Sequence, residues 1–211
     1  MNDADQVALH GPWARRTPAD VARLFEGYAG TWWLAGGWAI EAFTGVAREH
    51  DDIDPSALRD ELPLLRAHLA DRLHVWAAAA GSLTPLVPEL DPEGVADDVL
   101  PAGCHQVWTR PSALEPWEYD VLLSAGTGEE WVYRREPVLR MPLADALWER
   151  DGVRYLRPEL QLLFKAPGLR PKDQADFDAT LPHLDRRRRG WLRDALAATT
   201  VAHPWMARLT G

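Results

Sequence analysis

The chain has 211 residues, 46% of them hydrophobic and 26% charged. That is enough apolar surface for one core or for a large and a small lobe, and too much for a chain disordered throughout. Lys and Arg number 23 against 32 Asp and Glu, a net charge of −9, which argues against a protein that wraps duplex nucleic acid by neutralising phosphates. The imbalance is local, since residues 1–100 carry 17 acids and 7 bases while residues 101–211 carry 15 acids and 16 bases.

A single cysteine, Cys104, rules out an intramolecular disulfide. No apolar leader precedes a small-residue cleavage site, and no stretch approaches the ~20 apolar residues of a membrane span. The expectation is a reduced, cytoplasmic protein. Of the bases, 21 are Arg and only Lys165 and Lys172 are lysine, a skew that marks those two positions as ones where arginine has not been used.

In chain order, Thr17 followed by Pro18 reads as an N-cap and first helical position, leading Val21, Leu24, Phe25 and Tyr28 along one face. Residues 31–35 read as a short buried strand cut by Gly36-Gly37, after which Trp38 to Phe43 read as a helix ended by Gly45. Asp52-Ile53-Asp54 has the alternation of a second strand, and Leu58 to Leu73 has helical spacing. Residues 74–77, 105–108, 119–123 and 131–134 read as further strands, the last two joined as a hairpin through Gly126-Thr127-Gly128. The four prolines and acids of residues 84–103, including Glu89, Asp91, Glu93, Asp97 and Asp98, predict a long solvated excursion. Helices are expected from Tyr155 to Phe164, Pro171 to Leu181 and Asp185 to Ala198. This predicts an α+β fold, with an α/β core over residues 1–140 and a small helical C-terminal lobe over 141–211.

The chemistry concentrates where Gly36-Gly37 is followed, after fourteen intervening residues, by Asp52-Ile53-Asp54. On a strand, Asp52 and Asp54 face the same side while Ile53 enters the core. Two adjacent carboxylates repel unless a divalent cation lies between them, and Mg²⁺ is commonly held by a few carboxylates plus phosphate and water. The glycine pair at a helix N-terminus leaves room for phosphate oxygens against backbone N–H groups.

Leu34 to Glu41 followed by Arg48 to Asp54 resembles the signature of the DNA polymerase beta-like nucleotidyltransferase superfamily. The chain is most similar within it to the aminoglycoside and lincosamide nucleotidyltransferases. The resemblance continues in Trp131-Val132-Tyr133-Arg134-Arg135, in Tyr155 to Ala166, in Arg170 to Phe177 and in His203-Pro204-Trp205, so it runs from about Trp32 to the C-terminus. It implies a minimal nucleotidyltransferase fold, a mixed sheet flanked by helices, with Asp120 as the third carboxylate. Asp52, Asp54 and Asp120 would bind Mg²⁺, and Asp120 or the metal would help deprotonate the acceptor hydroxyl. Gly36 and Gly37 would accommodate the nucleoside triphosphate, and Lys165, ahead of Lys172, would neutralise it. The product would be a nucleoside monophosphate, AMP first, on a hydroxyl of a small antibiotic-like acceptor, with pyrophosphate released.

Other readings stand beside these. Glu118, on the same face as Asp120, competes with it. Pro55, directly after the aspartates, departs from the family pattern and tends to end a strand; it is the sequence support for a degenerate binding or regulatory protein that kept the fold. A toxin-like enzyme acting on tRNA or protein keeps the chemistry but is disfavoured by the charge. The acids near the site fit a cationic acceptor such as an aminosugar, and a homodimer is compatible with the sequence. Trp108 and Trp131 are candidate acceptor-pocket walls, His50 is read as structural, Arg186 to Arg189 as a solvated helix start, and Cys104 as inert.

Overall fold

The chain is described by a computed structural model over residues 3–87, 95–200 and 202–210. The elements run α1 (Asp3–His10), α2 (Pro18–Leu24), β1 (Trp32–Leu34), α3 (Gly36–Thr44), β2 (Pro55–Leu58), α4 (Leu62–Leu69), β3 (His74–Ala79), β4 (Ser82–Pro85), α5 (Ala96–Val99), β5 (Gln106–Arg110) and β6 (Tyr119–Ser124). They continue with β7 (Glu130–Val132), β8 (Arg140–Pro142), α6 (Leu143–Ala146), β9 (Leu147–Arg150), β10 (Val153–Leu156), α7 (Pro158–Lys165), α8 (Pro171–Thr180) and α9 (Arg186–Thr199). Helix starts follow local chemistry. Thr17 and Asp20 cap α2 reciprocally through side chain and backbone, and Asp185 accepts from the Arg188 N–H at the start of α9.

Eight strands form one mixed sheet in the order β4-β3-β5-β6-β2-β1-β10-β9. Because side chains alternate across a strand, the sheet has two buried faces. Leu34, Ala57, Val121 and Tyr155 join Val21 and Phe25 of the α2 segment and Leu62, Leu65 and Leu69 of α4 in one core. Trp33, Leu58 and Leu156 point the other way, into a second core with Leu160 and Leu163 of α7, Phe177 of α8 and Leu192 and Leu196 of α9.

Several elements differ from expectation. Asp52-Ile53-Asp54 is not the strand: β2 begins at Pro55, and the aspartates form its extended lead-in. Pro55 opens the strand, a position that asks for no N–H, and pairs with Leu34. The lead-in is nevertheless held on both sides, with Ala35 N–H donating to the Asp54 carbonyl at 2.9 Å and Asp120 N–H to the Ile53 carbonyl at 3.3 Å. The 119–134 hairpin reduces to an isolated bridge between Gly126 and Trp131, and β7 pairs instead with β8 in a separate ribbon. Beyond residue 140 the chain is not only helical, because β9 and β10 complete the main sheet with β10 parallel to β1; the helical part begins at Pro158. The expected helix over 58–73 is shorter, closing at Leu69 before Asp71 turns to φ 64°. Helix α1 carried no clear signal. Of the acidic excursion, Glu89, Asp91 and Glu93 lie outside the described residues, and α5 follows.

Leu160 of α7 is fully buried in the second core. Leu160→Ala is expected to cost about 2–5 kcal/mol of unfolding free energy, checked as a lower urea midpoint at an unchanged denaturant slope.

Candidate active site

Strand β1 ends at Leu34 and turns at once into α3. The turn requires Gly36 in the left-handed region at φ 65°, and a Cβ there would overlap the Asp54 carboxylate. Glycine therefore meets two demands at one position: a backbone that other residues adopt at a cost, and a bare α-carbon against which the acid can lie. The Gly36 N–H, first in the helix, donates to Gln161 Oε1 of α7 at 2.8 Å.

Asp54 and Asp120 point to the same face of neighbouring strands, the face carrying Ser56 and Leu122, which are in register. Burial, then the charge of Asp52, pushes the Asp54 carboxyl up to about 7, while Lys165, Lys172 and Arg48 pull it down. Asp120 is pushed well above the ordinary carboxylate range, first by burial, then by the charges of Asp54 and Asp52, with the Trp108 indole opposing. Its Oδ1 is buried and without a hydrogen-bond partner, an arrangement that a protein interior rarely leaves uncompensated. Asp52 is exposed.

Among the described residues no three acids, histidines or cysteines are grouped tightly enough to enclose a metal. Mg²⁺ characteristically takes one or two carboxylates and completes its shell with substrate phosphates and water. A half-buried Asp54 beside a buried Asp120 with an orphaned oxygen fits that mode.

Gly37 does not open onto empty space. A Cβ there would meet the Arg48 guanidinium and, at 2.8 Å, His50 Nδ1. Arg48 donates through Nε to Asp176 at 3.1 Å and through its backbone N–H to Glu41 at 3.1 Å. His50 shares a 2.7 Å hydrogen bond with Glu41 and stacks on Trp38 with ring centroids 4.2 Å apart. The loop before the aspartates is thus fastened to α3 and α8. Lys165 is buried, with Nζ 2.8 Å from Asp176 and 3.6 Å from Asp173; Arg170 grips Asp173 with two nitrogens, at 2.8 and 3.0 Å. Lys172 is exposed and acts on Asp54 only through its charge.

Beside this cluster lies a cleft of about 280 Å³. Gly36, Asp54, Lys165 and Arg170 line one part of it; Arg134 and Arg135 follow β7, and Trp131 and Phe164 supply aromatic surface. Of the residues expected from sequence, Gly36, Asp54 and Lys165 line the cleft. Asp52, Asp120, Gly37 and Lys172 are not among its lining residues. Sequence reasoning gave no role to Gln161, Arg134, Arg135 or Arg170, although all four stand in the blocks that carried the family resemblance. Glu118 is taken by an ion pair with Arg16, which separates it from Asp120. Trp131 lines the cleft, whereas Trp108 meets Trp13 and Trp117 edge-on. Arg188 pairs with Asp185 and Glu159, and Cys104 is buried with Sγ directed at the Ala78 and Gln106 carbonyls.

The site is thus a mixed sheet with acids at one end of neighbouring strands, beside a cation-lined cleft. In sequence, residues 19–77, which hold both the Gly-Gly turn and the aspartates, match the aminoglycoside-2''-adenylyltransferase family. No curated protein matches the chain by sequence. In structure the chain is similar to the antibiotic-resistance factor ANT(2'')-Ia in solution, with a TM-score of 0.53 at 16% identity over 93% of this chain and 94% of that one. A crystal structure of ANT(2'')-Ia in complex with adenylyl-2''-tobramycin gives a TM-score of 0.54 at 16% identity, covering 92% and 98%. The lincomycin-bound lincosamide adenylyltransferase LnuA gives 0.48 at 19%, covering 75% and 90%. The fold expected from the sequence, a mixed sheet flanked by helices, is the one observed, and the expected likeness to the aminoglycoside enzymes is met in sequence over residues 19–77.

Gly36→Ala is expected to destabilise the protein by about 1–3 kcal/mol from the left-handed backbone alone and to displace Asp54, seen as a lowered thermal midpoint. The raised Asp54 gives a second outcome. Between its ordinary value of 3.8 and about 7 the folded protein keeps a proton the unfolded chain has released, so this stabilising contribution fades as pH rises through that window and is gone above it. Without divalent cations, Asp54→Asn should therefore raise the thermal midpoint at pH 8 and change it little at pH 4; Mg²⁺ should raise that of the unsubstituted protein at pH 8.

Proposed function

We propose that the protein transfers a nucleoside monophosphate, AMP from ATP, to a hydroxyl of a small antibiotic-like acceptor and releases pyrophosphate. The observation that carries this reading is the Asp54–Asp120 pair, Asp120 buried with an orphaned oxygen and Asp54 half-buried at the wall of the cationic cleft. Asp54 and Asp120, with the exposed Asp52 alongside, would hold Mg²⁺, which when bound offsets their mutual repulsion and the charge on the phosphoryl oxygens.

The chain's own groups supply the rest. The Asp120 carboxylate, when ionised, would take the acceptor hydroxyl's proton. The acceptor oxygen bonds to the α-phosphorus in line as the bond from that phosphorus to the α,β-bridging oxygen breaks, and pyrophosphate leaves. Gln161, by occupying the Gly36 N–H, fixes the glycine turn against α7. Phe164, half-buried at the cleft wall, gives an aromatic surface on which a base can lie.

The reading favours the small-molecule acceptor because the related aminoglycoside family covers the segment holding the catalytic turn and ANT(2'')-Ia is described with an adenylylated tobramycin. Nucleotidyl transfer to a soluble drug calls for a cytoplasmic protein; among the described residues no helix is long and apolar enough to cross a membrane. The degenerate-protein alternative loses its support, because Pro55 opens β2 and leaves both aspartates on a lead-in held by backbone hydrogen bonds.

The test is a mass-spectrometric screen of aminoglycosides, lincosamides and other hydroxylated compounds with mixed nucleoside triphosphates and Mg²⁺. A nucleoside monophosphate adduct is expected, and Asp120→Asn should slow its formation about 10²–10⁴-fold. No adduct with any acceptor would defeat the proposal.

A further inference from the structure

Four cationic side chains border the cleft, and three are already engaged. Lys165 lies between Asp176 and Asp173, Arg170 is clamped on Asp173, and Arg135 donates to the Phe164 carbonyl at 3.0 Å and to the Tyr133 hydroxyl at 3.3 Å. Around the α7–α8 end, then, Lys165, Arg170 and Arg48 face two buried carboxylates that cancel most of their charge. Arg134 differs: among the described residues its guanidinium makes no hydrogen bond or ion pair, and the charged group acting on it most strongly is Arg135. It is half-buried, so part of its hydration has been given up without a protein partner in return, a state that costs free energy unless a ligand supplies the partner. Its position is specific. Arg134 lines both the 280 Å³ cleft and an adjoining hollow of about 300 Å³ over β3 and β5, with His105 and Gln106 also common to the two.

We infer that Arg134 binds the triphosphate of the nucleotide. This rests on the nucleotidyl-transfer reading and changes which residue carries it: the free positive charge expected from Lys165 is delivered by an arginine from the β7–β8 ribbon. A guanidinium is planar and always charged, and grips two phosphate oxygens at once. Lys165, shared between two aspartates, is a positioning residue. Through Asp176 it is tied to Arg48 and so to the loop that leads into Asp52 and Asp54.

The experiment is calorimetry with two probes, inorganic tripolyphosphate and a non-hydrolysable ATP analogue, each with Mg²⁺, on the unsubstituted protein, Arg134→Gln, Arg134→Lys and Arg140→Gln. Arg140 sits on the same ribbon and is bound to Glu130 and the Pro137 carbonyl, so it controls for the loss of one positive charge. Arg134→Gln is expected to weaken both probes about 10- to 100-fold, Arg134→Lys to recover part of the loss, and Arg140→Gln to change binding less than about twofold; because Arg134 holds no protein partner, its variants should melt at the unsubstituted midpoint. Binding of both probes by Arg134→Gln within twofold of the unsubstituted protein overturns the inference. If the unsubstituted protein binds neither probe, the nucleotidyl-transfer reading falls as well, whereas binding that Arg134→Gln leaves intact sinks this inference alone.

Discussion

The approach of the Asp54 carboxylate to the α-carbon of Gly36 is the constraint on which the site depends. It demands a glycine on steric grounds and again on conformational ones, and it joins two stretches of chain that make different elements: the turn from β1 into α3 and the lead-in to β2. The hydrogen bond from Ala35 to the Asp54 carbonyl holds the same two stretches from the backbone side, and Gln161 fixes the turn from α7. An acid kept there against water and near other acids is poorly solvated and repelled. The protein retains it by over-determining its surroundings, as strained functional positions require.

Around that contact the charges are arranged in two ways. On the α7–α8 side they are paired and buried, and the pairs act as fasteners: Asp176 meets both Lys165 and Arg48, coupling helices from the last third of the chain to a loop from its first quarter. Pairs of this kind add little net stability, but removal of one member is costly because the other is left charged and buried. On the β7 side the arginines face the cleft with little or no carboxylate compensation. Structural electrostatics and ligand-directed electrostatics thus occupy opposite walls of one opening.

Much of this was legible in the sequence, for identifiable reasons. The Gly-Gly turn, the aspartates and the capped helices are local features whose meaning is carried by a few adjacent residues. Trp33 and Leu34, Ala57 and Leu58, and Tyr155 and Leu156 alternate between the two cores, as period-two burial requires. The misreadings arose where tertiary pairing overruled local pattern. Asp-Ile-Asp alternates like a strand, but the ladder begins only at Pro55; the 126–128 turn reads as a hairpin, but β7 finds a better partner in β8; residues 147–156 carry few β-branched residues, yet they close the sheet edge. Arg134 stayed hidden because an arginine between a buried strand and a turn has the composition of an ordinary surface. Only the fold reveals that its neighbours across the cleft are already paired and it is not.

The two lysines of a chain otherwise based on arginine now differ in meaning. At 165 the side chain ends 8% exposed, between carboxylates of α8 one helical turn apart. A compact ammonium with three tetrahedral donors can serve both acids from one point, whereas a flat guanidinium would need a longer reach and a single plane of approach. The preference for arginine that holds nearly everywhere else in the chain meets a geometric veto there. At Lys172, out in solvent, no such veto operates, and the residue is free to drift.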